Sequence, residues 1–211
     1  MSSLAGASSA SEQPDKGRAL AVLREQTRVE HAAIEATLGL MSDALTLQEY
    51  RRTLERFHGF WQPLEARLRQ VPGLDMTGID LAARAKTPLL ALDLRALGVE
   101  EPRGARLCDD LPLVGSPGAA LGCLYVIEGA SLGGQIISRH LRARLDITKD
   151  TGGRFFHGYG ERTGEMWRTF RAAVEVFDAS AGAQDEMVAA AIGTFRGLRV
   201  WCGRPEPLSS A

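Results

Sequence analysis

The stretch LGCLYVIEGASLGGQ, residues 121–135, is the most informative part of this 211-residue chain. Each glycine inside a helix costs about 1 kcal/mol relative to alanine, so Gly129, Gly133 and Gly134 together remove a large share of a domain's usual stability. Gly129 and Gly133 lie four residues apart and share one helix face, which Ala130 extends. Two interpretations account for this bare strip: another helix packs closely against it, or a flat ligand lies against the backbone.

A long helix surrounds this stretch. Ser116 followed by Pro117 is typical of an N-cap and a first helical residue, and the helix is predicted to run from about 117 to 145. Further helices are predicted where apolar residues recur at helical spacing, and these cover about 20–38, 50–68, 88–97, 167–177 and 188–202. Pro63 predicts a kink or break near Gly59.

The chain is therefore predicted to be a single all-α domain covering 16–203. Residues 1–15 are rich in Ser and Ala and are expected to form a disordered tail, and 204–211 a short C-terminal tail. The stretches 99–115 and 152–160 are expected to be irregular.

Composition excludes several classes of protein. The apolar share of 45% and charged share of 24% are those of a globular domain, and a net charge of −1 gives no basic excess for binding nucleic acid. The three cysteines form no CxxC pair, which argues against a structural zinc site and favours a reducing cytoplasm. No signal peptide or uninterrupted apolar run long enough to cross a membrane is recognised.

His31 is the candidate metal ligand. It falls on the apolar stripe of the first helix, and Glu35 lies four residues later on the same face. The carboxylate could accept a bond from the imidazole Nδ1–H, which would leave Nε2 to bind a metal. One histidine cannot build a zinc site but suffices for haem iron, because the porphyrin supplies four nitrogens. The alternative is an ordinary core histidine.

The other three histidines carry weaker signals. His58 lies just off the apolar stripe of its helix and is expected at the core boundary, and His140 lies in a polar stretch and is expected on the surface. His157 lies among aromatic residues and glycines, and its pattern assigns it no definite role.

Three stretches together resemble the biliverdin-producing haem oxygenases, particularly the bacterial type found alongside bacteriophytochromes. Residues 23–31 with Glu35 resemble the proximal helix of that family, 125–135 its distal helix, and 155–170 the region that follows. The resemblance runs from about 18 to 202. It implies a fold in which haem is sandwiched between a proximal helix and a kinked distal helix.

The resemblance also implies a reaction. Haem b would be both substrate and cofactor, bound without covalent attachment because no CxxCH motif is present. Oxygen would cleave it to biliverdin, releasing iron and carbon monoxide, and the bilin could supply a bacteriophytochrome. The chain shows no flavin or nucleotide fingerprint, so electrons would come from an external reductase or ferredoxin.

The resemblance assigns roles to individual positions. His31 would bind the iron and Glu35 would orient it. Gly129, Ser131 and Gly133 would form the catalytic distal surface. The remaining haem contacts would come from Gly134 and from four arginines that pair with the propionates, namely Arg24, Arg28, Arg168 and Arg171.

One position departs from the family. Many haem oxygenases carry an aspartate after the first distal glycine, where it organises water that delivers protons, but here that residue is Ala130. Ser131 and water held by exposed carbonyls could replace it. Two alternatives therefore stay open: a non-catalytic haem carrier or sensor on the same fold, and a non-haem relative of the thiaminase-like type. The second needs a catalytic cysteine or carboxylate cluster that the sequence does not show.

Overall fold

The computed structural model describes residues 17–99, 106–178 and 183–205, and every regular element in these ranges is helical. The α-helices are α1 Arg18–Leu38, α2 Leu47–Leu68, α3 Leu81–Arg84, α4 Thr87–Ala96, α5 Pro117–Leu145, α6 Arg154–His157, α7 Thr163–Asp178 and α8 Ala183–Gly203. Two 3₁₀ turns, Asp75–Thr77 and Gly160–Arg162, lie between them. The predicted tail 1–15, and 206–211 of the C-terminal tail, lie outside the described residues.

Local sequence signals fix several helix ends. The Ser116 hydroxyl accepts a hydrogen bond from the Ala119 N–H at 3.1 Å and caps α5, whose bounds match the predicted helix. Thr46 and Glu49 cap α2 reciprocally: the Glu49 carboxylate accepts the Thr46 N–H at 2.8 Å, and the Thr46 hydroxyl accepts the Glu49 N–H at 3.2 Å. Gly98 follows α4 with a φ of +83°, as a C-terminal glycine does.

The predicted break in α2 is wrong, because the helix continues through Pro63. Proline lacks the N–H that would bond the carbonyl four residues earlier, which belongs to Gly59. That carbonyl instead accepts the N–H of Cys108 at 2.9 Å. The loop bearing Cys108 approaches so closely that a Cβ on Gly59 would collide with the carbonyl oxygen of Arg106. The loop thus satisfies the group that proline leaves unpaired.

The region 152–160 is also more regular than predicted, because it contains α6. Asp93 is fully buried, and its two carboxylate oxygens each accept a backbone N–H at 2.8 Å, from Arg154 and Phe155. A carboxylate at the start of a helix satisfies amides that would otherwise have no partner. Burial raises the pKa of Asp93 to about 6, although both hydrogen bonds oppose that rise. This distant cap explains why local sequence does not reveal α6.

The central element is α5, which packs along α8 on one side and against α6 on another. Within the described part of the chain, α5 alone has the length and apolar composition to cross a membrane, but 56% of its apolar window is buried inside the protein. We therefore describe it as the core helix. α1 lies along α8, and α2 packs against α4, while α5 itself contacts α8, α6 and α7.

The contact between α5 and α8 requires a glycine. A Cβ on Gly122 would collide with the carbonyl oxygen of Met187 and lie 3.0 Å from the Cβ of Ala190. Backbone cannot yield as a flexible side chain would, so this position sets the separation of the two helices.

Gly122→Ala should therefore destabilise the protein by about 1–3 kcal/mol, the usual cost of overpacking a core. Chemical denaturation of the purified protein measures this. Gly164→Ala is the matched control, because Gly164 lies in α7 and an added Cβ there would meet nothing within 4 Å. That control should be neutral or slightly stabilising. Equal stability of the two variants would contradict the role of Gly122.

Candidate functional site

A cavity of about 150 Å³ lies between α1 and α5. Its walls are mostly apolar and come from six parts of the chain: α1, the turn after α1, α2, α5, α6 and α8. The lining residues are His31, Ile34, Glu35, Leu38, Leu40, Phe57, Trp61, Tyr125, Val126, Gly129, Ala130, Gly133, Ile137, Phe156, Phe195 and Leu198. An apolar space with few polar groups is the usual form of a cofactor or substrate pocket.

His31 lies on the α1 side of this cavity. Its side chain is 52% exposed, whereas Thr27 and Ile34 on the same helix are buried. The Nδ1 atom lies 3.5 Å from Oε2 of Glu35, and the ring meets the edge of Phe195 with centroids 5.5 Å apart. The interpretation as a satisfied core histidine is therefore wrong. Glu35 lies beside Nδ1 as the sequence predicts, so Nε2 is the nitrogen not engaged by that carboxylate.

The glycines of α5 divide into two kinds. Gly129 and Gly133 line the cavity, and a Cβ added to either would meet nothing within 4 Å. Close helix packing therefore does not explain these two glycines. A Cβ on Gly134 would instead collide with the carbonyl oxygen of Phe156, so α6 requires that glycine. The predicted ligand contact by Gly134 is corrected to a packing role, because the residue is buried and does not line the cavity.

Ser131 does not lie where the sequence predicts. It is 2% exposed, does not line the cavity, and its hydroxyl accepts a hydrogen bond from Nζ of Lys86 at 2.8 Å. Because α5 is helical here, Ser131 lies on its back, away from the strip formed by Gly129 and Gly133. The structure therefore does not bring its hydroxyl to the face where a ligand would lie.

None of the four predicted arginines lines the cavity, and all are exposed on α1 and α7. Arg28 contacts Glu25 one turn away at 3.5 Å, and Arg171 contacts Glu175 at 3.8 Å. Such exposed pairs are weak and leave the guanidinium able to change partners. The other two predicted arginines, Arg24 and Arg168, are also exposed.

The other histidines lie outside the cavity. His58 is buried rather than at the boundary, and burial lowers its pKa. His140 is half-buried, with Nε2 3.2 Å from the carbonyl oxygen of Ser42. His157 is half-buried close to Gly160.

A buried polar cluster lies directly behind the glycine strip, and sequence reasoning missed it. The Glu128 carboxylate accepts the Tyr159 hydroxyl at 2.7 Å and lies 2.8 Å from Nη1 of Arg84. Nζ of Lys86 lies 3.7 Å from the centre of the Tyr159 ring. Burial lowers the pKa of Lys86 to about 8, although Glu128 and Glu65 oppose the shift. The only sequence signal was a charged residue, Glu128, inside an apolar helix.

The residues at the cavity fit a porphyrin better than a bare metal ion. In the described part of the chain, no three His, Cys, Asp or Glu side chains gather to hold a metal. A porphyrin needs one imidazole and a flat apolar slot, and His31 and the glycine strip supply both. The indole N–H of Trp61, which lines the cavity, has no hydrogen-bond partner among the described residues.

The cavity is narrow. Its volume of about 150 Å³ lies below the roughly 300–1,000 Å³ of pockets that hold drug-sized molecules.

Comparisons with known proteins point to one family. A family model described as haem oxygenase matches residues 18–203. A haem oxygenase from Xanthomonas campestris is 33% identical over 146 residues, covering 69% of this chain and 84% of that protein.

Solved structures show the same fold. The haem oxygenase of Neisseria meningitidis, solved with NO and CO bound, superposes with a TM-score of 0.74 at 22% identity, covering 92% of this chain and 94% of its own. That of Leptospira interrogans gives 0.73 at 19% identity, covering 88% and 98%.

The two kinds of glycine predict opposite effects of the same substitution. Gly129→Ala and Gly133→Ala should stabilise the ligand-free protein by up to about 1 kcal/mol each, because alanine favours the helix and the added Cβ meets nothing. Both should weaken hemin binding, because the methyl group occupies the strip. Gly134→Ala should lower stability instead. Denaturation and hemin titration of the three variants test this, and unchanged hemin affinity in the first two would contradict it.

Proposed function

Because this chain belongs to the haem oxygenase family, we propose that it degrades haem held in the cavity between α1 and α5, with His31 as the iron ligand. The observation that carries this proposal is the position of His31 across the cavity from Gly129 and Gly133. An imidazole on one side and bare backbone on the other would suit a flat iron porphyrin, and the iron would supply the redox chemistry of the reaction.

On the α1 side, the chain supplies an imidazole nitrogen as the ligand. Glu35 lies beside Nδ1 of His31 at 3.5 Å and favours the tautomer that carries the proton there. Nε2 then has a lone pair for the iron. An imidazole hydrogen-bonded to a carboxylate is also a more basic ligand, which strengthens its bond to the metal.

On the α5 side, the chain leaves space for oxygen and water. Gly129 and Gly133 present no side chain, and Ala130 offers no proton donor. Because the Ser131 hydroxyl lies behind the helix, we assign proton delivery to water bound at the cavity wall.

The finer assignments are also proposals. The bound group is haem b, held without a covalent link, and its propionates pair with exposed arginines of α1 and α7, namely Arg24, Arg28, Arg168 and Arg171. Oxygen is the oxidant and a separate reductase or ferredoxin supplies electrons. The resemblance of 125–135 to the bacteriophytochrome-associated type supports bilin supply as the role, in the cytoplasm.

A second candidate function is a haem carrier or sensor that does not cleave the ring. Ala130 favours it, because the aspartate that many relatives place there is absent. The two functions differ in their product: the enzyme forms biliverdin when reductant and oxygen are supplied, whereas a carrier keeps haem intact.

His31→Ala should abolish the sharp Soret band of the hemin-loaded protein and most of its biliverdin formation, because the iron loses its protein ligand. His140→Ala is the matched control, since His140 is a half-buried histidine outside the cavity. Absorption spectra after hemin addition, then after addition of reductant and oxygen, measure both effects. A wild-type spectrum in His31→Ala would overturn the ligand assignment, and a stable oxygen complex in the wild type would favour the carrier.

A further inference from the structure

The glycine strip of α5 is anchored from behind by buried charges. Five residues form this anchor cluster: Arg84, Lys86, Glu128, Ser131 and Tyr159. Two contacts reach α5 from the chain around α3, namely Arg84 Nη1 to Glu128 Oε1 at 2.8 Å and Lys86 Nζ to Ser131 Oγ at 2.8 Å. Arg84, Glu128 and Ser131 are at most 4% exposed, and Lys86 is 1% exposed.

Of the two anchored residues, one precedes the glycine strip and the other lies within it. Glu128 immediately precedes Gly129, and Ser131 lies between Ala130 and the second glycine of the strip. Glycines weaken the helix locally because they add backbone freedom. Bonds on the back of the helix therefore restrict a segment whose front face has no side chains to hold it in place.

The anchor cluster is itself fixed to α2, another helix that lines the cavity. Oε1 of Glu65 on α2 accepts the backbone N–H of Lys86 at 2.5 Å and that of Thr87 at 3.1 Å. One turn earlier, α2 contributes Trp61 to the cavity lining. The position of the strip relative to α2 is thus set through two successive contacts, from Glu65 to Lys86 and from Lys86 to Ser131.

Stability alone does not account for these charges. Replacing a buried ion pair by well-packed apolar residues is often neutral or stabilising, so a buried ammonium is weak evidence for a stabilising role. A charged hydrogen bond does impose a direction and a distance that apolar packing does not. The anchor cluster fixes the position of α5 at the segment where the glycines leave the backbone less restricted.

We propose that Lys86 is a positioning residue for haem cleavage, acting through Ser131 to hold the glycine strip of α5 at a fixed distance from the bound haem. This inference rests on the proposed function. Lys86 is buried and does not line the cavity, so its role would be exerted through Ser131 and not by touching the haem. Its loss should slow ring opening, because reacting atoms misplaced by about 1 Å lose roughly 100-fold in rate. It should leave hemin affinity unchanged, because His31 and the apolar walls remain.

The test is a double-mutant cycle on Lys86→Met, Ser131→Ala and the combined variant. Ser131→Ala keeps every charge and removes one hydroxyl, so it is the variant that folds if Lys86→Met does not. We expect each single change to slow single-turnover biliverdin formation by about 10- to 100-fold with unchanged hemin affinity. The combined variant should be no slower than the slower single variant, because both changes break the same bond.

Arg56→Met is the matched control. Arg56 is a half-buried arginine that donates to the carbonyl oxygen of Arg204 at 3.0 Å, away from the anchor cluster. It should keep the wild-type rate even if its melting temperature falls. Three results would each overturn the positioning role. The first is a wild-type rate in Ser131→Ala, and the second is additive losses of rate in the combined variant. The third is a loss of rate that follows a loss of hemin affinity. Intact haem in the wild-type reaction would overturn the proposed function as well, which separates the two failures.

Discussion

The structure depends on a conflicting requirement at one segment of α5, which must be bare on one face and fixed in position. Gly129 and Gly133 satisfy the first demand, because their faces open into the cavity. A segment with so few side chains cannot hold itself in place by packing. The opposite face therefore carries the buried contacts of Glu128 and Ser131, which explains why an apolar helix includes a buried charge.

The α1 wall of the cavity is held in place differently from the α5 wall. α1 is tied to α8 by an ion pair between Glu30 and Arg196, with Nε to Oε1 at 2.6 Å, and His31 rests against Phe195 of the same helix. His31 and Glu35 remain largely exposed. The α1 wall thus carries its candidate ligand on an exposed surface, whereas the α5 wall is held from behind by buried contacts.

Sequence predicts the features whose cause is local. The bounds of α5 follow from Ser116 and from helical periodicity, and the strip follows from glycine spacing. Prediction fails where the cause is distant in the chain. The sequence does not distinguish Gly134 from Gly133, and only the structure shows that the backbone of Phe156 packs against Gly134. The sequence suggests that the Ser131 hydroxyl is free to face a ligand, but Nζ of Lys86, 45 residues earlier, donates a hydrogen bond to it. No spacing rule connects such pairs, because only the packing of α3 and α6 on α5 creates them.

The position of Ser131 changes the meaning of the missing aspartate. With Ala130 facing the cavity and the only hydroxyl of the strip bonded to Lys86, the segment 129–134 offers a bound oxygen no side-chain proton. What it does offer is space at Gly129 and Gly133, enough for water beside exposed backbone. A water chain is directed by the surfaces that enclose it rather than by one acid. On the proposed function, proton delivery depends on where the strip lies, and therefore on the anchor cluster behind α5.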